Sequence, residues 1–289
     1  MRLKDYLIEK VLLLSALVSI VVICLIFIFL AREGIPAIWE ISSSNFWGKT
    51  WQAQSIEPKY GVLPLLSGSL IVTVGAIVLA LPLSVAFAIY LSEMANHRIR
   101  DVLKPLMELL TGIPSVVYGL LALTAVADIT HTIFGTTFRL NALNASIILA
   151  VMIIPTISSI SEDAIRAIPS EFKKAGLALG ATEWQVISKV TIPAAFPGIA
   201  VAIMLGVGRA LGETMAVLMA AGNAPILTLN IFSAVETMTA TIAIEMGEVA
   251  FGTVHYHALF AIGILLFIIT FVINMIAEVA MQRFRRFYR

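Results

Sequence analysis

Long apolar runs, each about as long as a bilayer is thick, alternate with short polar segments along this chain. The first run, residues 11–30, is interrupted only by two serines, and no small-residue cleavage site follows it. Five further runs cover about residues 64–92, 105–127, 144–160, 194–221 and 258–281. Because roughly 20 helical residues cross the ~30 Å hydrocarbon core, the pattern predicts six membrane-spanning helices. We expect the first to be retained rather than removed as a signal peptide.

The segment between the last two runs, residues 222–257, is apolar too, but its pattern differs. Its apolar residues recur at steps of three and four, and polar residues occupy the other faces. This is typical of an amphipathic helix lying at a membrane interface, so we predict no seventh span. The apolar positions are Ile231, Val235, Met238, Ile242, Met246 and Val249, and the polar ones are Thr237, Thr239, Glu245 and Glu248.

Composition places the chain in one class. Of its 289 residues, 60% are apolar and only 13% are charged, a balance unlike that of soluble globular domains. We therefore predict an all-α integral membrane protein with six transmembrane helices. The one cysteine, Cys24, lies inside the first run, so this chain alone offers neither a disulfide framework nor a thiolate metal site.

The basic residues predict the orientation of the helices. Fourteen of the 19 lysines and arginines fall on one side of the predicted spans, four fall on the other, and one lies inside a span. The positive-inside rule assigns the richer side to the cytoplasm and so predicts cytoplasmic N- and C-termini. The richer side holds Arg2, Lys4, Lys10, Arg98, Arg100, Lys104, Arg166, Lys173, Lys174, Lys189, Arg283, Arg285, Arg286 and Arg289.

The remaining basic residue, Arg209, lies in the stretch GVGRALGETMAV, near the middle of the fifth run. If residues 194–221 form one helix, Arg209 lies roughly 3 Å from mid-depth, and Glu213 follows on the same face within reach of an ion pair. A charged guanidinium there cannot face lipid, so it must meet a partner or a polar cavity.

Two interpretations of this pair are open. The pair could exist to neutralise itself and join two helices, or it could line the path of a solute. Glycines at 206, 208 and 212 leave the helix thin, which suits either close helix contact or passage. We favour passage, because the planar guanidinium matches an oxyanion and remains charged at any working pH.

A cytoplasmic loop, residues 161–193, is predicted to form two short helices. Ser170 is expected to cap the first and Gly180 to end it in a left-handed conformation. Thr182 and Gln185 fit a capping box for the second, which Pro193 is expected to stop. Apolar stripes run along both helices, with Phe172, Ala175 and Leu179 on the first and Trp184, Ile187 and Val190 on the second.

This loop resembles the EAA loop of ABC importer permeases. The likeness rests on Ala175, Leu179, Gly180, Ala181, Val190 and Pro193. It implies a type I ABC importer permease fold and a coupling helix that docks on a separate ATPase subunit. Lys174, Ala175 and Gly176 stand where the family has Glu-Ala-Ala. The coupling residues that the resemblance implies are Lys174, Ala175, Gly176, Gly180, Ala181 and Trp184.

Three stretches together, GIPSVVYG at 112–119, the loop, and GRALGET with AGN at 208–223, resemble the permeases of phosphate ABC transporters. The PstC type is the first choice and its paralogue PstA the second. The resemblance implies a second, PstA-like permease, two PstB-like ATP-binding subunits and an extracytoplasmic, PstS-like phosphate-binding protein. Glu213 could then accept a hydrogen bond from the hydroxyl of phosphate while repelling fully ionised sulfate.

The expected pathway residues are Arg209, Glu213, Thr214, Ser115 and Tyr118. We expect no catalytic residue, metal or cofactor in this chain. The expected division is an N-terminal helix with its extracytoplasmic loop, residues 1–62, followed by the permease domain, residues 63–289. Residues 31–63 or 222–257 could meet the binding protein.

Other functions remain open from the sequence. The substrate could be another oxyanion, such as phosphonate, sulfate or molybdate. An intramembrane enzyme acting on a phosphate ester could use Arg209 and Glu213 but lacks a histidine within any span, and a passive channel would need no docking loop. A Walker-like string at 43–50 has no glycine at its first position, and His255 with His257 gives too few ligands for a metal site.

Overall fold

The computed structural model describes residues 3–287, and these are almost entirely helical. Arg2 and Arg289, which the charge analysis counted as cytoplasmic, lie outside the described residues. The helices are α1 (Leu3–Glu40), α2 (Ser43–Phe46), α3 (Leu63–Ile89), α4 (His97–Thr111), α5 (Ser115–Leu121), α6 (Ala127–Phe134), α7 (Ala142–Arg166), α8 (Ser170–Ala178), α9 (Glu183–Val186), α10 (Ile192–Gly212), α11 (Met215–Ala220), α12 (Met238–Glu245) and α13 (Val254–Phe287).

Three π-helical turns and one small hairpin complete the secondary structure of the described chain. The turns Tyr90–Met94, Ala122–Val126 and Ile187–Thr191 extend α3, join α5 to α6 and join α9 to α10. The hairpin pairs β1 (Trp51–Gln52) with β2 (Lys59–Tyr60) in antiparallel register.

Six helical segments of the described chain are long and apolar enough to cross a membrane, which confirms the predicted number. They are Ile8–Glu40, Leu63–Met94, Ser115–Phe134, Ala142–Arg166, Glu183–Gly212 and Val254–Ile276. The segment before α13 adds no seventh span in this part of the chain.

The predicted start of the third span, residue 105, is wrong. Residues 97–111 form a separate helix, α4, none of whose residues is buried. Asn96 caps α4 by accepting the backbone N–H of Ile99 at 2.9 Å. The helix ends before Pro114, since proline disfavours helical geometry in the residue preceding it, and the span begins at Ser115.

The fifth span is also not one continuous helix over 194–221. Helix α10 ends at Gly212, and Glu213 adopts an extended conformation with φ −70° and ψ 127°. The Glu213 Oε1 atom accepts the backbone N–H of Ala216 at 3.2 Å, which stabilises the start of α11. The Glu213 side chain therefore binds the backbone of the next helix. The continuous helix that the apolar run predicted is absent.

Helix α7 forms the centre of the bundle and packs against α3 and α10. Small residues line the contact: Ser146 on α7 donates to the carbonyl of Val72 on α3 at 3.3 Å, and Ser158 donates to that of Ser84 at 3.2 Å. Small side chains let helices in lipid approach closely, and such hydrogen bonds join them. Helix α1 instead packs mainly on α13, and most of its apolar surface is exposed.

The chain between α11 and α13 lies over one end of the bundle, but it is not the two-faced helix that the pattern predicted. Only Met238–Glu245 is helical within it, and Thr237 and Thr239 are buried rather than facing water. Thr239 donates to the carbonyl of Glu213 at 3.0 Å, and the backbone N–H of Met238 donates to Ser69 at 3.0 Å. Thr239 is therefore buried with a polar partner from the bundle, whereas Thr237 caps α12 by accepting the backbone N–H of Ala240.

One carboxylate joins two elements outside the spanning helices to the start of α13. Glu245 accepts the indole N–H of Trp51 at 3.0 Å, and its other oxygen lies 2.6 Å from Nε2 of His255. The hairpin, α12 and α13 thus meet at Glu245. Tyr60 packs beside this group, and burial together with the charge of Glu245 raises the pKa of its phenol.

Glu236 is a buried carboxyl in the same region, with 5% of its surface exposed. Burial raises its pKa to about 7, a hydrogen bond with Thr241 opposes the rise, and the nearby charge of Glu245 adds to it. Ionising Glu236 therefore costs the folded protein free energy.

The first prediction concerns the crossing of this segment over α3. A Cβ atom at Gly68 would lie 2.2 Å from the carbonyl oxygen of Glu236, a backbone atom that cannot turn away. We expect Gly68→Ala to lower the free energy of unfolding by about 1–3 kcal/mol, measured as a lower Tm in detergent. Gly247→Ala is the control, because a Cβ atom there meets nothing within 4 Å. Equal Tm values for the two variants would contradict the packing described.

The second prediction concerns the pH dependence of stability. The folded state holds the Glu236 proton up to about pH 7, whereas the unfolded carboxyl releases it near its ordinary pKa of 4.5. Stability should therefore fall as pH rises through this window, by about 3 kcal/mol in free energy of unfolding. Unfolding measured from pH 4.5 to 8 should show the fall in the parent and in Glu248→Gln, an exposed control. Glu236→Gln should lose that component, and an unchanged profile would refute it.

Candidate functional site

Arg209 projects from α10 into the space between α7 and the end of α4. Its Nη1 donates to Thr156 Oγ1 at 3.0 Å and its Nη2 to the carbonyl of Thr111 at 3.5 Å. Thr156 lies close to the middle of α7, whose 25 residues run from Ala142 to Arg166. The guanidinium therefore sits deep in the bundle, although Arg209 itself is near the end of its helix.

The predicted ion pair between Arg209 and Glu213 is absent. None of the ion pairs formed by the described residues includes Arg209. The prediction was wrong because it assumed an unbroken helix, in which residues four apart share a face. With α10 ending at Gly212, the Glu213 carboxylate turns to α11 instead.

Helix α4 supplies acceptors to two of the predicted pathway residues. The carbonyl of Leu110 accepts the hydroxyl of Tyr118 at 2.8 Å, and the carbonyl of the next residue, Thr111, accepts from Arg209. These are the last carbonyls of α4, which have no partner within the helix and carry its negative dipole end. The end of α4 thus stabilises the positive charge of Arg209 without neutralising it.

The other predicted pathway residues are not drawn into this cluster. Ser115 is half-buried at the start of α5, and Thr214 donates to the carbonyl of Gly212 at 3.4 Å. Glu213 borders a cleft of about 10 Å³ together with Ser69 and Thr239. This space is at about the lower limit for holding one water molecule.

Two residues of the site were missed by sequence reasoning. Thr156 is a polar residue inside a predicted span, which was a usable signal, since such residues often bond neighbouring helices. Thr111 contributes only its backbone carbonyl, so its side chain gave no signal. The helix is interrupted at residues 112–114, and the geometry of these residues places the Thr111 carbonyl next to Arg209.

The glycines beside Arg209 differ in their surroundings. A Cβ atom at Gly206 would lie 2.6 Å from Ile157, so this glycine permits close packing of α10 on α7. At Gly208 and Gly212 an added Cβ atom meets nothing within 4 Å. The side of α10 that carries these two glycines is therefore open in this chain.

The loop between α7 and α10 forms the two predicted helices, α8 and α9, with a left-handed turn at Gly180 (φ 83°). Both hydrogen bonds of the predicted capping box exist, at 3.3 Å and 2.9 Å between Thr182 and Gln185. Two details were wrong: Ser170 makes no cap, and Pro193 does not stop the second helix. Pro193 lies at the start of α10, where proline is tolerated.

The predicted coupling residues lie together on this loop. Gly176 faces α9, and a Cβ atom there would lie 2.9 Å from the side chain of Val186. Lys174, Ala175 and Trp184 are exposed, and Ala181 is half-buried next to Gly180 in the turn. Large apolar side chains are also exposed on this loop, namely Phe172 (56%), Leu179 (89%) and Trp184 (62%).

The loop is bound to the bundle by an ion pair that sequence reasoning missed. Lys173 on α8 contacts Glu93, at the end of the π-turn that extends α3, at 2.6 Å. The Glu93 side chain is only 9% exposed. Helix α8 is thus fixed to α3, and α9 continues through a π-turn into α10.

Sequence comparison identifies relatives over most of the chain. Residues 80–289 match the family described as "Binding-protein-dependent transport system inner membrane component". A Bacillus subtilis (strain 168) protein named "Probable ABC transporter permease protein YqgH" is 40% identical over 239 residues, which cover 83% of this chain and 76% of that protein. "Phosphate transport system permease protein PstC" of Mesorhizobium japonicum is 36% identical over 247 residues, 79% of this chain and 75% of the relative.

Solved structures share the fold at low sequence identity. A bacterial alginate ABC transporter in complex with an alginate-bound periplasmic protein aligns with TM-score 0.65 at 17% identity, covering 98% of both chains. The MetNI methionine ABC transporter in an inward-facing conformation aligns with TM-score 0.58 at 19% identity, over 77% of this chain and 94% of that one. With the family match extending over more than half of the sequence, this chain belongs to the inner membrane components of binding-protein-dependent transport systems: it is a multi-pass transport subunit with the ABC importer permease fold, not an enzyme.

Proposed function

We propose that this chain is the permease subunit of an ATP-driven importer of inorganic phosphate, of the PstC type. The observation that carries the proposal is Arg209, whose guanidinium is bound by a hydroxyl and a carbonyl and takes part in none of the ion pairs formed among the described residues. Two of its five N–H donors serve these acceptors. The remaining N–H donors can bind an oxyanion, whose negative charge the guanidinium complements.

Relatives support the choice of phosphate among oxyanions. Several that are 30–36% identical over most of this chain are named phosphate transport system permease proteins PstC. The open side of α10 at Gly208 and Gly212 supplies space beside Arg209 for a small solute. We assign the principal contact with phosphate to Arg209, with Tyr118, Ser115 and Thr214 along the same path.

Glu213 keeps a role in this proposal, but not as the partner of Arg209. One of its oxygens accepts the N–H of Ala216. We propose that its carboxylate accepts a hydrogen bond from the hydroxyl of monohydrogen or dihydrogen phosphate as the anion enters past the external end of α10, before it reaches Arg209. Sulfate carries no proton near neutral pH and would be repelled there.

The partners of the importer follow from the family and from this chain's surfaces. The exposed Phe172, Leu179 and Trp184 fit an apolar groove on an ATP-binding subunit, and we propose two PstB-like subunits of that kind. A PstA-like permease would complete the path opposite the open side of α10. A PstS-like phosphate-binding protein would deliver the anion at the face formed by residues 31–63 and 222–257.

The orientation in the membrane is part of the proposal. Six spans put both ends of the chain on one side of the bilayer, and the basic residues favour the cytoplasm for that side. The loop with α8 and α9 then faces the ATPase in the cytoplasm of a cell whose plasma membrane holds the importer. Residues 1–62 form an N-terminal extension of the permease domain at 63–289.

The third prediction tests Arg209. In vesicles containing the complete importer and its binding protein, Arg209→Met should lower phosphate uptake by about 10- to 150-fold, the loss expected for a hydrogen bond to a charged group. Arg139→Met is the matched control, since Arg139 pairs with Asp128 on an exposed turn. Glu213→Gln should retain phosphate uptake better than Arg209→Met but admit competing sulfate. Unchanged, selective uptake by Arg209→Met would refute the site.

The fourth prediction tests the docking loop. Trp184→Ala should weaken association with the ATP-binding subunit by about 30-fold or more, because buried tryptophans dominate many interfaces. Association is measured by titrating the purified ATP-binding subunit onto the permease in detergent. Trp39→Ala removes an 83% exposed tryptophan from the C-terminal end of α1, away from the loop with α8 and α9, and should leave the affinity for the ATP-binding subunit unchanged. Equal affinities for both variants would contradict the assignment of the loop.

A further inference from the structure

Helix α4 is fastened to the cytoplasmic end of α3 by one arginine. Arg100 donates from Nε and Nη2 to the carbonyl of Leu91 at 3.0 Å and 2.8 Å, and from Nη2 to that of Ser92 at 3.0 Å. These carbonyls belong to the π-turn that ends α3, where backbone acceptors lack helical partners. The next residue, Glu93, is the partner of Lys173 on the coupling loop. Helices α4 and α8 therefore hold the same turn.

A buried glutamate joins α4 to α7 at the same level. Glu162 is fully buried, and one oxygen lies 2.6 Å from Nζ of Lys104. Its other oxygen has no hydrogen bond but lies 3.7 Å from Nε of Arg100 and 3.6 Å from Nη1 of Arg166. A buried carboxylate is tolerated only with such partners, so loss of one should move the others.

Lys104 is the central contact of this junction on α4. It also binds Asp163, the neighbour of Glu162. Burial lowers the pKa of the ammonium, but hydrogen bonds to Asp163 and Glu162 and their negative charges outweigh this and raise it above its ordinary value. The ammonium of Lys104 is thus charged at any physiological pH.

The other end of α4 meets the candidate substrate site. Its last carbonyl, that of Thr111, accepts from Arg209, and that of Leu110 accepts from Tyr118. Thr111 follows Lys104 by seven positions, a distance of about 10 Å along a helix. The residues of α4 are exposed or half-buried, and besides these contacts the helix packs along α7.

Both partners of the Arg209–Thr111 contact are consequently connected to the coupling loop, by different routes. Arg209 is on α10, which continues from α9 through the π-turn Ile187–Thr191. Thr111 is on α4, which reaches α8 through Arg100, the end of α3 and the Lys173–Glu93 pair. A relative movement of α8 and α9 would therefore change the separation of Arg209 from Thr111, which is already long for a hydrogen bond at 3.5 Å.

We propose that α4 is a strut through which the coupling loop makes and breaks the contact between Arg209 and the Thr111 carbonyl, so that ATPase movement sets when the guanidinium is free to bind the anion. Lys104 and Glu162 are the positioning residues of this strut. The proposal rests on the proposed function, since it needs Arg209 as the anion site and α8–α9 as the ATPase dock.

The experiment compares transport with ATP consumption in the complete importer. Lys104→Met and Glu162→Gln are reconstituted in vesicles with the ATP-binding subunits, the partner permease and the binding protein. Labelled phosphate taken up per ATP hydrolysed should fall by about 5- to 150-fold, the usual range of a coupling free energy, while ATP hydrolysis continues. Arg98→Met, on the exposed face of the same helix, and Lys104→Arg, which keeps the charge, should retain the parental ratio.

Three results would overturn the strut. Uptake and ATP hydrolysis could fall in the same proportion, the ratio could stay at the parental value, or both variants could fail to assemble with the ATP-binding subunits. Each of these results would mean that the junction of Lys104 and Glu162 only stabilises the fold. Failure of the phosphate site gives a different pattern, because Arg209→Met would then transport normally. If Arg209→Met abolishes uptake while Lys104→Met keeps the parental ratio, the site stands and the strut does not.

Discussion

A guanidinium within a membrane bundle must be surrounded by acceptors, and Arg209 finds a hydroxyl and a carbonyl rather than a carboxylate. A carboxylate would have cancelled the charge and left the pair as a structural link between helices. Neutral acceptors satisfy the geometry of two donors and leave the charge in place. The packing of α7, α10 and the end of α4 brings Thr156 and the Thr111 carbonyl to this one side chain.

Two interruptions of helical structure make that arrangement possible. Between α4 and α5, residues 112–114 end a helix inside the bundle and expose its last carbonyls to Arg209 and Tyr118. Between α10 and α11, Glu213 leaves the helix and caps the next one. In hydrocarbon every backbone group needs an internal partner, so broken helices occur where other protein groups or a polar cavity supply it. Here the partners are Arg209, Tyr118 and Glu213, which we also propose as residues of the substrate pathway.

The sequence predicted the number of spans and the two loop helices with their capping box. These features follow from local rules: run length and cap residues. It failed where an apolar run hides a break, as at Glu213, because hydropathy does not distinguish one long helix from two short ones. It also could not find the Thr111 carbonyl or the Lys173–Glu93 pair, since both depend on contacts between residues far apart in the chain.

Helix α1 packs mainly on α13, so the first spanning segment to be synthesised has the last one as its principal neighbour. Its contacts with the remainder of the molecule are thus among the most distant in sequence, which makes them late to form. During biosynthesis α1 would stand in lipid with most of its surface covered by acyl chains until the C-terminal segment enters the bilayer. Its rings at Phe27 and Phe29 then meet Phe267 and Phe260, so these aromatic contacts form only after α13 has entered the bilayer.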